Sequence, residues 1–503
     1  MLYRFFLFSR KGNFYTFGVI KTLLMKSFAS LIVFLFFIYW NIYAQKSKTN
    51  FIIFIADDVS YDDFGCTGNP DVKTPNIDKL AANGIKFTNA YLTASSCSPS
   101  RNSILTGRYP HNTELHTQPP LWMPSFPEIL NSNGYFCGFA GKFHSHDFAE
   151  EDFDIVSREY EEIGNSGSDS WVSTLNSREK DQPFFIWFAA LDAHRAWGEN
   201  QFSGTHHPDS IKVPFYLADA PGTRKDLAQY YDEIYRFDYR IGEVMDELEE
   251  QGVMENTCVI IMADNGRPFP HSKTRVNDRG MKTPFIVYWP EKLPAEPQVS
   301  NSLISAVDIA PTIVSLAGYE VSPTFQGRSF GKILDDPSQP FRNYVFAEHN
   351  WHDYEAHERM VRDKNFMYIL NSRPLSPNMG PADALESPSH RDLIALKAKG
   401  ELSVIQADIF VTPRPAEELY DCRFDPLQLI NVAAMPQYQD QLEHLSGVLQ
   451  QWMKETGDNV PHNLTKDWFL RLPGYINTTQ NGVRGELPGE ALNATKINEK
   501  GPF

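Results

Sequence analysis

No C-x-x-C pair occurs in the sequence, and its five cysteines, Cys66, Cys97, Cys137, Cys258 and Cys422, are scattered over 503 residues. That spacing excludes a cysteine zinc cage and a dithiol redox motif, and five are too few for a disulfide-built scaffold. Disulfides among four of them remain open in an exported chain, with no pairing readable from spacing. No apolar run is long enough to span a bilayer. The run Leu31 to Trp40 has ten residues, against about twenty for a membrane helix. Positive charge is also scarce, with 46 Lys+Arg against 63 Asp+Glu, a net charge of −17. So acidic a body does not bind nucleic acid through bulk electrostatics, and an anionic substrate must be held by a small local cluster of cations. Internal repeats are missing as well. Apolar residues are not: 42% of the chain is hydrophobic and 13% aromatic. This excludes a mainly disordered chain, and the length suits one large domain or two unequal ones.

The first 44 residues read as a targeting segment. They hold five basic residues and no acid, and Lys26 precedes the apolar run. Ala44-Gln45 is a candidate cleavage point, with Ile42 larger than usual at the −3 position. Met25-Lys26 begins an ordinary signal sequence, which makes the first 24 residues an upstream start. No cysteine follows the run, which argues against a lipid anchor; a retained N-terminal anchor is the alternative. Export to the periplasm or medium is expected, with no stable membrane span. Cleavage deepens the formal charge from −17 to −22.

Phe51 to Ala56 is a continuous apolar run, as expected of a strand buried on both faces, and ends in Asp57-Asp58. Thr74-Pro75 opens a helix with Thr as N-cap, and Asn83-Gly84 stops it. Tyr135 to Ala140 reads as a strand leading into Gly141-Lys142-Phe143-His144. Phe184 to Ala190 is another, leading to Asp192 and His194. Leu227, Ile234, Phe237, Ile241, Val244 and Leu248 follow at helical spacing, with Gly252 at the end. Thr257 to Ala263 is a buried strand ending in Asp264-Asn265-Gly266, and Phe285 to Trp289 is one more. Alternating strands and helices predict a parallel α/β sheet over residues 45–345. The unusual polar clusters fall just past strand carboxyl ends, where open α/β sheets place ligand sites. Residues 346–503 have a different texture and predict a smaller α+β subdomain. Within it we expect a loop from Arg373 to Lys399, a final helix from Tyr438 to Trp452, and a surface-wrapping tail after Asn459. Three N-x-S/T triplets (Asn463, Asn477, Asn493) fall in that tail.

Two constellations carry chemistry. Asp57-Asp58 and Asp264-Asn265 place paired carboxylates at two equivalent strand ends, where they repel unless neutralised. A hard divalent cation would neutralise them, and the lack of adjacent Cys or His favours calcium or magnesium over zinc. Taken singly, each pair reads first as a cap or turn, and it is the occurrence of two at equivalent strand ends that favours a metal. The second is Ser95-Ser96-Cys97-Ser98-Pro99-Ser100-Arg101, followed by Leu105-Thr106-Gly107-Arg108. Pro99 suits a first helical turn and leaves Cys97 at the N-terminus, where backbone N–H groups favour anions and lower a thiol pKa. A buried structural cysteine is the alternative.

These residues resemble the signature of the type I sulfatases, whose cysteine is oxidised after translation to formylglycine (3-oxoalanine). The rest of the pattern is present in order: Asp57-Asp58, Gly141 to His144, His194, Asp264-Asn265-Gly266, and Lys273 in the K-x-x-x-(aromatic)-E-G-G-x-R-x-P stretch. That stretch departs from the family at Asn277, Asp278, Arg279 and Lys282. Val307 to Thr312, Glu418 to Asp421 and Asp425-Pro426 also match, so the resemblance covers roughly residues 50–458. The pieces Ser95 to Arg101, Asp192 to Arg195 and Asp264 to Pro270 are most similar to the heparan N-sulfatase (sulfamidase) branch and to bacterial polysaccharide sulfatases.

The resemblance implies an alkaline-phosphatase-like α/β sandwich: a large, mostly parallel sheet flanked by helices, with a smaller C-terminal subdomain. It implies one Ca²⁺ held by Asp57, Asp58, Asp264 and Asn265, with Cys97, as formylglycine, beside it in the metal set. One hydroxyl of the hydrated aldehyde attacks sulfur, and the second expels sulfate. Lys142 and Lys273 grip sulfate oxygens, Arg101 orients the modified residue, His194 is the general acid and His144 the partner of the diol. Specificity falls to surrounding loops, for which His116, His349, His352 and Arg359 are candidate contacts to an anionic sugar. The partners implied are a sulfated glycan, ulvan-like or glycosaminoglycan-like, and a formylglycine-generating or sulfatase-maturating enzyme. Three rivals stand beside this reading: N-sulfate cleavage on glucosamine, a phosphate or phosphonate monoester hydrolase on the same fold, and a non-catalytic glycan-binding protein in which Cys97 stays a thiol.

Overall fold

The computed structural model describes residues 48–113, 123–144, 150–158, 165–471 and 482–503. The targeting segment 1–44 and its cleavage point lie outside these, as do His116 and Asn477. Residues 49–503 cluster into one compact unit. Among the described residues, no helix is long and apolar enough to cross a membrane.

Eight strands form the central sheet. In chain order they are β1 (Asn50–Ala56), β2 (Ile85–Phe87), β4 (Phe136–Gly141), β5 (Ile155–Arg158), β6 (Phe184–Ala189), β7 (Thr257–Ala263), β8 (Phe285–Tyr288) and β9 (Gln298–Ser300). Their spatial order is β5-β4-β6-β1-β7-β8-β2-β9. β1 lies between β6 and β7 and is parallel to both, as the doubly buried apolar run predicts. β8 runs antiparallel to β7 and β2, so the sheet is mixed on that side and parallel elsewhere. A short parallel pair, β3 (Ala90–Tyr91) with β10 (Ile304–Ser305), sits apart.

The two-residue period of β1 divides the core. Phe51, Ile53 and Ile55 pack on one face with Ile104, Leu105, Ile309 and Ile313. Ile52, Phe54 and Ala56 pack on the other, largely against the helix Pro221–Glu250 through Leu227, Ile234, Phe237 and Ile241. Helices therefore cover both faces, which is the expected sandwich, and only the sheet's carboxyl edge is left for chemistry.

The C-terminal subdomain is a four-stranded antiparallel sheet of β11 (Val345–His352), β12 (Tyr354–Arg362), β13 (Phe366–Asn371) and β14 (Glu417–Asp421). The helix Gln439–Thr456 packs on it through Leu445, Leu449 and Trp452. The Trp452 indole stacks on Phe346 with centroids 5.0 Å apart. The tail 482–503 does wrap back: Arg108 donates to the carbonyls of Thr495 and Ile497.

Two local expectations are corrected. Residues 373–399 are not one loop, because Pro388–Lys399 is a helix. Its Ser387 hydroxyl accepts the His390 N–H, Pro388 fills the first turn, and Gly400 closes it in the left-handed conformation. Proline content masks a complete set of helix signals. Thr74 does precede the helix Pro75–Ala82, but its hydroxyl donates to the Asp78 carboxylate and accepts the Gly65 N–H rather than capping the helix.

Candidate active site

The register between β1 and β7 pairs Ala56 with Ala263, so both strands end level and Asp57-Asp58 emerges beside Asp264-Asn265. All four side chains are buried. Asp58 takes a left-handed backbone (φ 60°), unusual for a residue with a side chain, and its N–H donates to Asp264 Oδ1 at 3.2 Å. β4 ends at Gly141, also at positive φ (108°). A Cβ there would lie 1.7 Å from the Ala189 carbonyl, so only glycine lets β4 pass β6 and deliver Lys142.

The helix Cys97–Thr106 points its first residue at this edge. Cys97 Sγ lies 3.4 Å from Asp57 Oδ1 and 3.6 Å from Asp58 Oδ1. One potential ligand atom from each of Asp57, Asp58, Asp264 and Cys97 falls within 4.8 Å of the others. Cations enclose them. Lys142 Nζ is 2.6 Å from Asp57 Oδ2, Lys273 Nζ 2.8 Å from Asp58 Oδ2, and Arg101 Nε 2.8 Å from Asp264 Oδ2. Arg101 also donates to the Lys142 carbonyl at 2.7 Å. One turn past β6, His194 Nε2 stands 3.9 Å from Asp58 Oδ2, while its Nδ1 is bonded to the Arg195 carbonyl. A carbonyl only accepts, so Nδ1 carries the proton and Nε2 is the nitrogen that takes up and gives one.

The electrostatics fit a bound cation. Burial raises Asp57, yet Lys142, His194 and Arg101 outweigh it and hold that carboxyl well below its usual range. Asp264 is pushed up to about 6, by burial first and by the Asp57 and Asp58 charges, against the pull of Arg101. Asn265 donates through Nδ2 to Asp58 Oδ1 at 2.6 Å, while its Oδ1 is buried without a hydrogen-bond partner. An orphaned amide oxygen among three buried carboxylates is a donor set for a hard divalent ion. For Cys97 the expected low thiol pKa is overturned. Burial drives it well above normal, and the nearby lysines do not compensate. At neutral pH the unmodified side chain is therefore a protonated thiol and a poor nucleophile.

The structure thus brings together Asp57, Asp58, Cys97, Arg101, Lys142, His194, Asp264, Asn265 and Lys273. His144 lies two residues past Lys142 and is exposed. His352 joins the group, its Nδ1 2.7 Å from the Ser96 hydroxyl beside Cys97. His349 sits next to it, and the two imidazoles line one small inner cavity with His357 and Arg373. His349 is buried and is pushed down to about 3 by burial and by the neighbouring His352 and Arg359. Arg359 is corrected outright: it is fully buried and gripped by Asp458 through two hydrogen bonds of 2.5 and 2.8 Å. Its charge serves the C-terminal core and is not available to a ligand. Sequence reasoning misses one residue, Asp383, which forms a second tight group with Asp58 and His194. It lies in the stretch expected to be loop, and no local signal marks it. All five cysteines are described, and none of them is in a disulfide.

The chain is similar to known proteins in both sequence and fold. A family model described as Sulfatase matches residues 49–319, and one described as N-sulphoglucosamine sulphohydrolase, C-terminal, matches residues 271–370. An ulvan-active sulfatase of Formosa agariphila is 31% identical over 461 residues, covering 80% of this chain and 75% of that protein. Human N-sulphoglucosamine sulphohydrolase is 29% identical, covering 81% of this chain and 90% of its own length. A protein solved in complex with its substrate D-glucosamine-2-N,6-O-disulfate shares the fold with a TM-score of 0.66 at 18% identity, over 81% of this chain and 98% of that one.

Proposed function

This chain belongs to the sulfatase family and is a sulfuric ester hydrolase; on that premise we propose that it removes sulfate from a sulfated polysaccharide or its oligosaccharides, using formylglycine made from Cys97 and one Ca²⁺. The observation that carries this reading is the meeting of Cys97, three buried carboxylates and Asn265 at the ends of β1 and β7, ringed by Arg101, Lys142 and Lys273.

Asp57, Asp58, Asp264 and Asn265 would hold the calcium, with the residue at position 97 beside it, and the bound ion supplies positive charge that polarises sulfate oxygens. Formylglycine, when installed, supplies as its hydrate the nucleophilic hydroxyl that a buried thiol cannot. The chain's own groups then divide the work. Arg101, Lys142 and Lys273 already balance the three carboxylates one for one, so a divalent ion leaves the pocket with an excess of positive charge suited to a sulfate group. Lys142 and Lys273 grip its oxygens. Arg101 fixes Asp264 and the turn at Lys142, which holds both against the modified residue. His194 protonates the departing oxygen or nitrogen from Nε2, the tautomer being set by Arg195. His144, at the rim, partners the second hydroxyl.

The similarity to an ulvan-active sulfatase supports an algal polysaccharide, and that to N-sulphoglucosamine sulphohydrolase over residues 271–370 supports an N-sulfated glucosamine. Sulfate released from ulvan oligosaccharides and from N-sulfated heparan fragments, with calcium present, separates the two. An export route and a maturating enzyme belong to the same proposal. Faster turnover of an aryl phosphate than of the matching aryl sulfate would count against it.

A further inference from the structure

Beside the catalytic cluster opens a cleft of about 370 Å³, lined at its inner end by His194, His352 and Asp383 and farther out by Asp353, Glu386, Tyr354 and Phe469. It is continuous with the site, because Asp383 and His194 form a tight group with Asp58. Its two ends differ in charge. The inner end adjoins the Lys273 ammonium, whose charge reaches Asp383, while the outer wall carries two carboxylates, Asp353 and Glu386. Asp353 accepts the Ala382 N–H at 2.9 Å and lies 3.7 Å from His352 Nε2. Glu386 is exposed on the outer wall.

We propose that this cleft takes the sugar ring bearing the scissile sulfate, and that its outer carboxylates select a ring whose neighbouring substituents are hydroxyl or ammonium over one with a second anionic group. The inference rests on the sulfatase reading and deepens it by naming the substrate class. Ionised carboxylates only accept hydrogen bonds, so they reward donors and repel a further sulfate or uronate. Tyr354 and Phe469 offer apolar ring faces to the C–H side of a pyranose. Cations inward and carboxylates outward orient one sulfate toward Cys97, and among the described residues the cleft's lining offers no lysine or arginine to another.

The test is kcat/KM for sulfate release from monosulfated monosaccharides, each paired with the same sugar carrying a second sulfate on a neighbouring carbon. Measurements use formylglycine-containing, calcium-loaded protein and its Glu386→Gln and Asp353→Asn variants. The wild type is expected to prefer the monosulfated member by about tenfold or more, the scale of one charge-assisted hydrogen bond made or denied. Each variant is expected to shrink that ratio at least threefold, mainly through KM. Glu386 is on the surface, so its replacement tests the charge without threatening the fold. Aryl sulfate turnover by the wild type reads the underlying activity separately. If aryl sulfate is cleaved but the disulfated sugars are equal or better, if no monosaccharide is cleaved, or if neither variant moves the ratio, this inference is overturned alone. No sulfate from any substrate overturns the parent reading as well.

Discussion

Cys97 occupies a position where burial and the Asp57 and Asp264 charges push a thiol pKa well above its usual value, which supports the proposal that its chemistry comes from modification. Cys97→Ala is expected to abolish sulfate release, by about 10³-fold or more for loss of a covalent nucleophile, with the thermal midpoint little changed. Sulfate release and a melting curve on the same sample check both halves. Lys273→Ala removes a cation 2.8 Å from Asp58 and is expected to lower kcat/KM by about 10²–10³-fold, the scale for one preorganised electrostatic interaction. Asp458 is different in kind. Burial would raise it, but Arg359 holds it at about 2, so its contribution to stability is complete above the ordinary carboxyl value near 3.8 and is lost as pH falls through 2. Asp458→Asn leaves the buried Arg359 with only the Glu348 carboxylate, 3.6 Å away, as counter-charge, at a cost of up to about 3–5 kcal/mol near pH 7. Urea unfolding should show that gap narrowing only below about pH 4. A gap unchanged down to pH 2 would contradict the assignment.

At the scale of elements, the strands that carry the site are readable because doubly buried strands are written as unbroken apolar runs. Thr257–Ala263 matches the expected range residue for residue, and Phe51 to Ala56 lies inside β1. The acids after them stand out because nothing in a strand end needs two carboxylates. The helix Pro388–Lys399 escapes reading for the opposite reason. Its moderate amphipathicity is hidden by proline, serine and alanine, although Ser387, Pro388 and Gly400 are sound boundary signals. Ser387→Ala should cost about 0.5–2 kcal/mol, the usual range for an N-cap. A larger effect on kcat/KM for sugars than for an aryl sulfate would show that this segment also positions the nearby Asp383. Arg359 and Asp383 mark the limit of reading by residue type. One is a cation with its partner 99 positions away, the other an acid brought in from beyond residue 380, and only tertiary packing decides which of them meets solvent.

For the molecule as a whole, the carboxyl edge of one sheet gathers residues from five separated stretches, between Asp57 and Lys273, around a single buried charge cluster. A cation bound there stabilises the folded state by mass action, so chelation should lower the thermal midpoint, and calcium well above its Kd should restore it by the equivalent of about 3–4 kcal/mol. Asp264→Asn should blunt that response. The most direct measurement relates turnover to modification: sulfate released per molecule, plotted against the fraction of Cys97 that mass spectrometry finds as formylglycine in calcium-loaded preparations of graded conversion. A straight line through the origin is predicted; appreciable turnover from protein whose Cys97 is wholly thiol would contradict it.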